Sequence, residues 1–132
     1  MRELSRHPRD EVVAFLWKHK GRIIFGSDIV TLDDQTSREK SGLSRMGDLS
    51  SSPEEAFELY CSRYWSLRTM LETDYDGPSV IADGDLRMVD PARYTASSSP
   101  RLQGLALPRD LLAEIYRGAA VNVVEKWWER NK

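Results

Sequence analysis

The run Ile23–Phe25 restricts most strongly what this chain can fold into. It lies in the stretch GRIIFGSD (residues 21–28), where three bulky apolar residues stand in a row and are followed by Gly-Ser-Asp. A strand with one face in solvent alternates apolar and polar side chains, whereas a parallel strand buried on both faces is continuously apolar. The run therefore predicts a buried parallel strand, and such a strand needs neighbours on both sides.

The rest of the chain predicts helices. Apolar residues at helical spacing indicate a short helix over residues 10–20. Ser52-Pro53-Glu54-Glu55 matches a capping box with proline at the first helical position, and predicts a helix to about Leu71. Pro108 similarly opens a last helix that should run to about Arg130.

The connections between these helices are long. Residues 31–52 are polar and predict a surface connection, and residues 72–100 are irregular, as expected of a loop insertion. Residues 102–107 offer at most one further short extended segment. The chain therefore cannot supply the sheet that Ile23–Phe25 requires, and we expect a single partial domain over residues 1–132 from which a larger sheet is missing.

Composition excludes several functional classes. The formal net charge is −2 and no basic face stands out, so we expect no nucleic-acid partner. No apolar stretch approaches the ~20 residues of a membrane span. The start MRELSRHPRDE lacks the apolar segment of a signal peptide, which predicts a cytoplasmic location. The single Cys61 has no cysteine partner for a disulfide or zinc site, and we expect it to be packed on a helix.

Asp28 is the first candidate functional residue. A carboxylate at the carboxyl end of a parallel strand lies where α/β folds place their ligands, and it can bind a divalent metal or act as a general base. An aspartate directly after a strand is also a common turn or N-cap residue. Residue spacing leaves both interpretations open.

A second acidic candidate lies at residues 72–83. Glu72, Asp74, Asp76 and Asp83 occupy positions 1, 3, 5 and 12 of this segment, with Gly77 at position 6, which is the spacing of an EF-hand calcium loop. Glutamate at the first position and aspartate at the twelfth depart from the EF-hand pattern. An acidic solvated loop is therefore the favoured interpretation, and calcium binding the less favoured one.

The histidines and serines predict no catalytic group. The chain has two histidines, His7 and His19, which are too isolated for a metal cluster, and no Ser/His/Asp set can be argued. Two aromatic pairs, Tyr64-Trp65 and Trp127-Trp128, lie in predicted helices. We expect these side chains to lie in the core or at an interface.

Three segments together resemble a known family. GRIIFGSDI is similar to the last strand of amidohydrolase-related (amidohydrolase 2 type) metal-dependent hydrolases, and GLALPRDLLAEIYRGAA looks like the family's closing Gly-x-x-Leu-Pro segment and the helix after it. RYWSLRTMLETDYDGPS is similar to an insertion that some members carry after the last strand. The resemblance covers nearly the whole chain but only the final part of the family's domain.

This resemblance implies a fold, an activity and a site. The fold would be the C-terminal fragment of a (β/α)₈ TIM barrel, mostly helical with one or two strands. The activity would be hydrolysis of C–N or C–O bonds in a small-molecule substrate, or decarboxylation as in some relatives. Asp28 maps onto the family's metal ligand and proton acceptor, and the cofactor would be a divalent metal, with zinc preferred.

The chain also departs from the family. The family's first ligands are a His-x-His pair on its first strand, and no such pair is present here. Because catalytic zinc needs about three protein ligands, we expect the isolated chain to be inactive. It would then either require the missing N-terminal barrel portion or form a homo-oligomer. The competing hypothesis is a small helical interaction protein without catalysis.

Overall fold

A computed structural model describes residues 3–27, 52–81, 90–95 and 98–132. Helices dominate these ranges: a 3₁₀ helix (Leu4–Arg6), α1 (Arg9–Lys18), α2 (Pro53–Glu72) and a C-terminal helix over residues 109–130. The C-terminal helix consists of α3 (Arg109–Ala113), two π-helical turns (Glu114–Gly118 and Val121–Glu125) and α4 (Lys126–Arg130). The strands are β1 (Asp76–Pro78) and β2 (Arg101–Gln103). Among these helices, none is long and apolar enough to span a membrane.

The predicted barrel fragment is wrong. Within the described ranges the sheet has two strands, β1 and β2, which pair antiparallel with Gly77 opposite Leu102. Parallel barrel strands are hydrogen-bonded to parallel neighbours, and the described ranges contain no such pair. The described ranges instead form a small helical assembly with one short antiparallel ribbon. Part of that ribbon, β1, lies inside the segment that was expected to be irregular.

The run Ile23–Phe25 does not form the buried parallel strand on which the barrel prediction depends. It is extended but belongs to no sheet, and its side chains alternate in burial: Ile24 is 44% exposed while Ile23 and Phe25 are half-buried. The Phe25 amide donates to the carbonyl of Ile115, at 2.9 Å, on the C-terminal helix. The prediction of a strand buried on both faces is therefore wrong, because the run packs one side against a helix.

The helix predicted over residues 10–20 is confirmed as α1, although it begins one residue earlier and ends two residues earlier. Gly21 follows it with a φ of +80°, a conformation that glycine adopts without steric cost. Val12 and Leu16 are buried, but Phe15 is 52% exposed. The buried face of α1 is thus narrower than its apolar spacing indicates.

The N-terminus of α2 confirms the capping box. The Ser52 hydroxyl accepts a hydrogen bond from the Glu55 amide at 3.2 Å, and Pro53 is the first helical residue. This bond satisfies one of the amides that the first helical turn leaves without a partner. The helix ends at Glu72, one residue beyond the predicted end.

The buried face of α2 excludes its central aromatic side chains. Met70, Leu71 and Ser66 are buried, whereas Tyr64 is 45% exposed. Inside the fold the Ser66 hydroxyl lies 3.4 Å from that of Ser79, so one polar pair is satisfied in the core. The side chains of Tyr64 and Trp65 on α2 therefore reach the surface.

The loop between β2 and the C-terminal helix caps the end of α2. The Leu105 amide donates to the Met70 carbonyl at 2.7 Å, and the Leu107 amide to the Leu71 carbonyl at 2.9 Å. These are carbonyls that the last helical turn leaves unpaired. A Cβ on Gly104 would overlap the backbone that follows α2, so only glycine fits this close approach.

The hydrophobic core lies where α1, the end of α2, this loop and the first half of the C-terminal helix meet. Its buried members are Val12, Leu16, Met70, Leu71, Leu102, Leu105, Leu107, Leu111 and Ile115. The N-terminal 3₁₀ helix joins the same core through buried Ser5, whose hydroxyl accepts from the Gln103 amide at 3.1 Å.

Candidate functional site

The predicted ligand Asp28 lies outside the described residues. The structure describes the segment that leads to it, as far as half-buried Ser27. The candidate site is therefore built around Phe25, three positions before Asp28 in the sequence.

Phe25 joins three elements that are distant in sequence. Its ring stacks on Tyr64 of α2 with centroids 6.4 Å apart, and meets Tyr116 of the C-terminal helix edge-on at 5.0 Å. Aromatic pairs in these arrangements are attractive beyond the area they bury. We call Phe25, Tyr64 and Tyr116 the aromatic cluster. It fixes the extended segment against both long helices.

A polar network adjoins the aromatic cluster. The Tyr116 hydroxyl donates to Glu72 Oε1 at 2.8 Å. Arg68 donates to both carboxylate oxygens of Glu72, at 2.8 and 3.1 Å. A bidentate arginine–carboxylate pair is among the strongest protein hydrogen bonds and fixes the orientation of both groups.

The network sets the protonation of its members. Hydrogen bonds from Arg68, and then from Tyr116, lower the pKa of the Glu72 carboxyl. Burial, and then the hydrogen bond to Glu72, raises the pKa of Tyr116 to about 12. At neutral pH Glu72 is ionised and the Tyr116 hydroxyl keeps its proton. The pair is therefore a structural clasp between α2 and the C-terminal helix, and neither group is poised as a general base.

An open groove of about 450 Å³ runs along α2 beside this network. Its lining consists of Cys61, Tyr64, Trp65, Arg68, Thr69, Glu72 and Thr73. Trp65 is held edge-on to Tyr75 at 5.8 Å. Cys61 is exposed, so its predicted packed position is wrong. The groove offers aromatic surface with its charged groups already paired to each other.

The two histidines do not come together with these groups. His7 follows the 3₁₀ helix at the surface, and His19 ends α1 with its ring 4.5 Å from that of Phe15. In the described part of the chain, no three histidine, cysteine or acidic side chains are placed to hold a metal ion. The described residues thus do not fit a zinc site, and a metal at Asp28 would need ligands from elsewhere.

The acidic segment at residues 72–83 does not assemble as a calcium loop where it is described. Glu72 binds Arg68 and Tyr116, as above. Asp76 lies on β1 and receives two hydrogen bonds of 2.7 Å from Arg101 on β2. Asp83 lies outside the described residues. Calcium binding remains a prediction that these contacts do not favour, because two of its proposed ligands already bind arginines.

The sequence contained only part of the signal for this network. The spacing of Arg68 and Glu72 by four residues on a helix is typical of an ion pair. Tyr116 lies 44 residues beyond Glu72, and no local pattern connects them. The aromatic cluster was missed for the same reason, since it depends on how the extended segment packs.

Comparison of the chain with protein-family models, with curated proteins and with solved structures finds no match in any of the three.

Proposed function

We propose that this chain is one part of a metal-dependent hydrolase related to the amidohydrolases, and that it is inactive by itself. The proposal starts from the three sequence segments that resemble that family, residues 21–29, 63–79 and 104–120. In the proposal, this chain contributes one carboxylate, and a second polypeptide segment contributes the remaining ligands.

One observation supports treating the three segments as a single unit. They meet in space: Phe25 of the first contacts Tyr64 of the second and Tyr116 of the third. The Phe25 amide of the first segment also donates to the Ile115 carbonyl of the third. The amides of Leu105 and Leu107, in the third segment, cap the end of α2, which belongs to the second. Segments inherited together from one domain are expected to keep such mutual contacts.

Asp28 is the proposed contribution of this chain to catalysis. A carboxylate can bind a divalent metal, and it can accept a proton from the attacking water. A bound metal would supply the Lewis acidity for hydrolysis. The chain's part is to hold the segment before Asp28 through the aromatic cluster. The exposed thiol of Cys61 is compatible with a reducing compartment, and we include a cytoplasmic location in the proposal.

The first test uses the purified chain. We expect no stoichiometric zinc after equilibrium dialysis and no turnover of amide or ester substrates with added zinc. Metal-dependent hydrolysis by the chain alone would contradict the proposed inactivity.

The second test concerns the missing ligands. The coding sequence immediately upstream of the Met1 codon is expected to encode a His-x-His segment, in any reading frame. A protein that joins this segment to the chain should hydrolyse substrate with added metal. Asp28→Asn should abolish that activity, while the matched control Asp74→Asn, at an exposed carboxylate, should keep it. If no such segment exists upstream, the proposal fails.

A non-catalytic interaction protein is the second candidate. It is favoured by aromatic side chains that reach the surface of α2, with Phe57 68% and Trp65 43% exposed. In this case Asp28→Asn should leave partner binding unchanged, and Trp65→Ser should weaken it. The partner would be identified by cross-linking and its affinity measured again with both proteins purified. Equal affinity of the Trp65→Ser variant would argue against this surface.

A further inference from the structure

The end of the C-terminal helix carries an apolar surface that neither proposed function uses. We define the tail as residues 121–132. No residue of its two helical pieces, Val121–Glu125 and Lys126–Arg130, is buried. Four apolar side chains on it are more than half exposed: Val123 52%, Val124 54%, Trp127 55% and Trp128 59%.

The packed first half of the helix supplies its nucleus, so the tail can be helical without a partner. Its exposed side chains lie four residues apart in two pairs, Val123 with Trp127 and Val124 with Trp128, so they share one face of the helix. Trp127 and Trp128 also line an open groove of about 400 Å³ together with Val124. A partner that covers this face of the tail therefore has to contribute apolar side chains.

The size of the surface limits the kind of complex. A fully covered aromatic side chain buries 150–250 Å² and a valine less, so the exposed halves of two tryptophans and two valines together offer roughly 400 Å². Two copies of the surface would bury about 800 Å², which lies in the range of weak, reversible complexes. A permanent complex would need additional surface, so we expect concentration-dependent assembly.

The order of side chains along the tail is complementary to itself. The sequence VVEKWW (residues 123–128) places two small apolar residues one turn before two large ones. If a second copy is turned end for end, each tryptophan pair lies opposite the other copy's valine pair. Large side chains facing small ones fill space efficiently. A two-fold axis uses the same patch on both copies.

The charges on the tail favour a second copy over an anionic partner. It carries two acidic residues, Glu125 and Glu129, and three basic ones, Lys126, Arg130 and Lys132. This nearly balanced set provides little attraction for nucleic acid or an anionic membrane, both of which select basic surfaces. It also causes little repulsion between copies.

We propose that the tail is a homodimer interface, in which the tails of two copies pack antiparallel with Trp127 and Trp128 of each against Val123 and Val124 of the other. This interface does not depend on the hydrolase proposal. It makes no use of Asp28 or of the α2 surface that carries Phe57 and Trp65.

The test is sedimentation velocity of the full chain from about 1 µM to about 1 mM, which spans the affinities expected for a weak interface. We expect the wild type to shift from monomer to dimer across this range. The variant carrying Trp127→Ser and Trp128→Ser should stay monomeric throughout. Phe15→Ser is the matched control, because it removes an aromatic side chain that is 52% exposed on α1, outside both the tail and the α2 surface, and it should dimerise like the wild type.

Three results would overturn the proposal. They are a wild type that remains monomeric at the highest concentration, a double variant that dimerises as well as the wild type, and a monomer that binds vesicles of anionic lipid through the tail. Circular dichroism verifies that the double variant folds. If it does not, Val124→Asp provides a second variant with the same expected loss of dimer. Monomeric behaviour would leave the two hydrolase tests unaffected.

Discussion

The two halves of the C-terminal helix differ in how far their side chains are buried. In the first half, Leu111 and Ala119 are fully buried and Ile115 is 4% exposed. In the second half, from Val121 to Arg130, no residue is buried. The backbone is helical throughout. The comparison teaches that continuous helix does not imply a continuous contribution to stability, because only the first half is packed.

The halves meet where the helix departs from α-helical hydrogen bonding. The Ala119 amide donates to the Glu114 carbonyl, five residues earlier, as in a π-helical turn. Its ordinary partner, the Ile115 carbonyl, accepts from Phe25 instead. Single π-helical turns are typical of places where another group enters the helical ladder. Docking of the extended segment thus coincides with the change in helix geometry.

The largest expected effect comes from the core of the first half. Leu111→Ala removes a fully buried side chain, so it should lower the free energy of unfolding by about 3 kcal/mol. Val124→Ala, in the exposed half, should change it by less than about 0.5 kcal/mol, because alanine's higher helix propensity offsets the lost methyl groups. Urea unfolding at micromolar protein concentration measures both. Equal losses at the two positions would mean that the tail packs on the core of its own chain.

Tyr116→Phe should have an intermediate effect. It removes the hydroxyl that donates to Glu72 and keeps the ring that contacts Phe25. Loss of one half-buried hydrogen bond should cost about 1 kcal/mol in the free energy of unfolding. The same urea experiment measures the change. An unaltered stability would show that water replaces the clasp without cost.

The same hydrogen bond can be tested by pH. Folding raises the pKa of Tyr116 from its ordinary value of 10 to about 12. A raised pKa means that the folded protein holds the proton more tightly, so its contribution is complete below pH 10 and is lost as the pH rises through 12. We expect unfolding free energy to fall over that range in the wild type and less in Tyr116→Phe. Ultraviolet absorption should reveal one tyrosine that loses its proton only near pH 12. If the Tyr116→Phe variant still shows this transition, the raised pKa belongs to another tyrosine.

Local sequence signals predicted the helices well and the tertiary contacts poorly. Ser52 and Pro53 mark the start of α2 because capping depends on residues within one turn, and Pro108 marks the start of the C-terminal helix for a similar reason. The apolar run Ile23–Phe25 predicts a strand in a buried sheet, but a short apolar run has the same pattern on any apolar surface that it contacts. That surface proved to be a helix.

The candidate site could be predicted even less. Both its position after the apolar run and the family resemblance indicate Asp28, which lies outside the described residues. The clasp of Tyr116 with Glu72 depends on the packing of two helices whose contacting residues are 44 positions apart. No periodicity within either helix encodes that distance, so only the folded structure identifies it.

The smallest expected effect tests the exposed half against the buried half directly. Asn122 Oδ1 accepts a hydrogen bond of 2.6 Å from Lys126, one turn later in the tail. Asn122→Ala removes this bond, a loss of about 0.3 kcal/mol on an exposed helix, and gains a similar amount in helix propensity. The free energy of unfolding of the monomer should therefore change by less than about 0.3 kcal/mol. Tyr116→Phe also removes a single hydrogen bond, so the two variants compare the same loss in the exposed half and in the packed half. A loss of 1 kcal/mol or more on urea unfolding at micromolar concentration, as roughly expected at Tyr116, would show that the tail shares in the stability of the core.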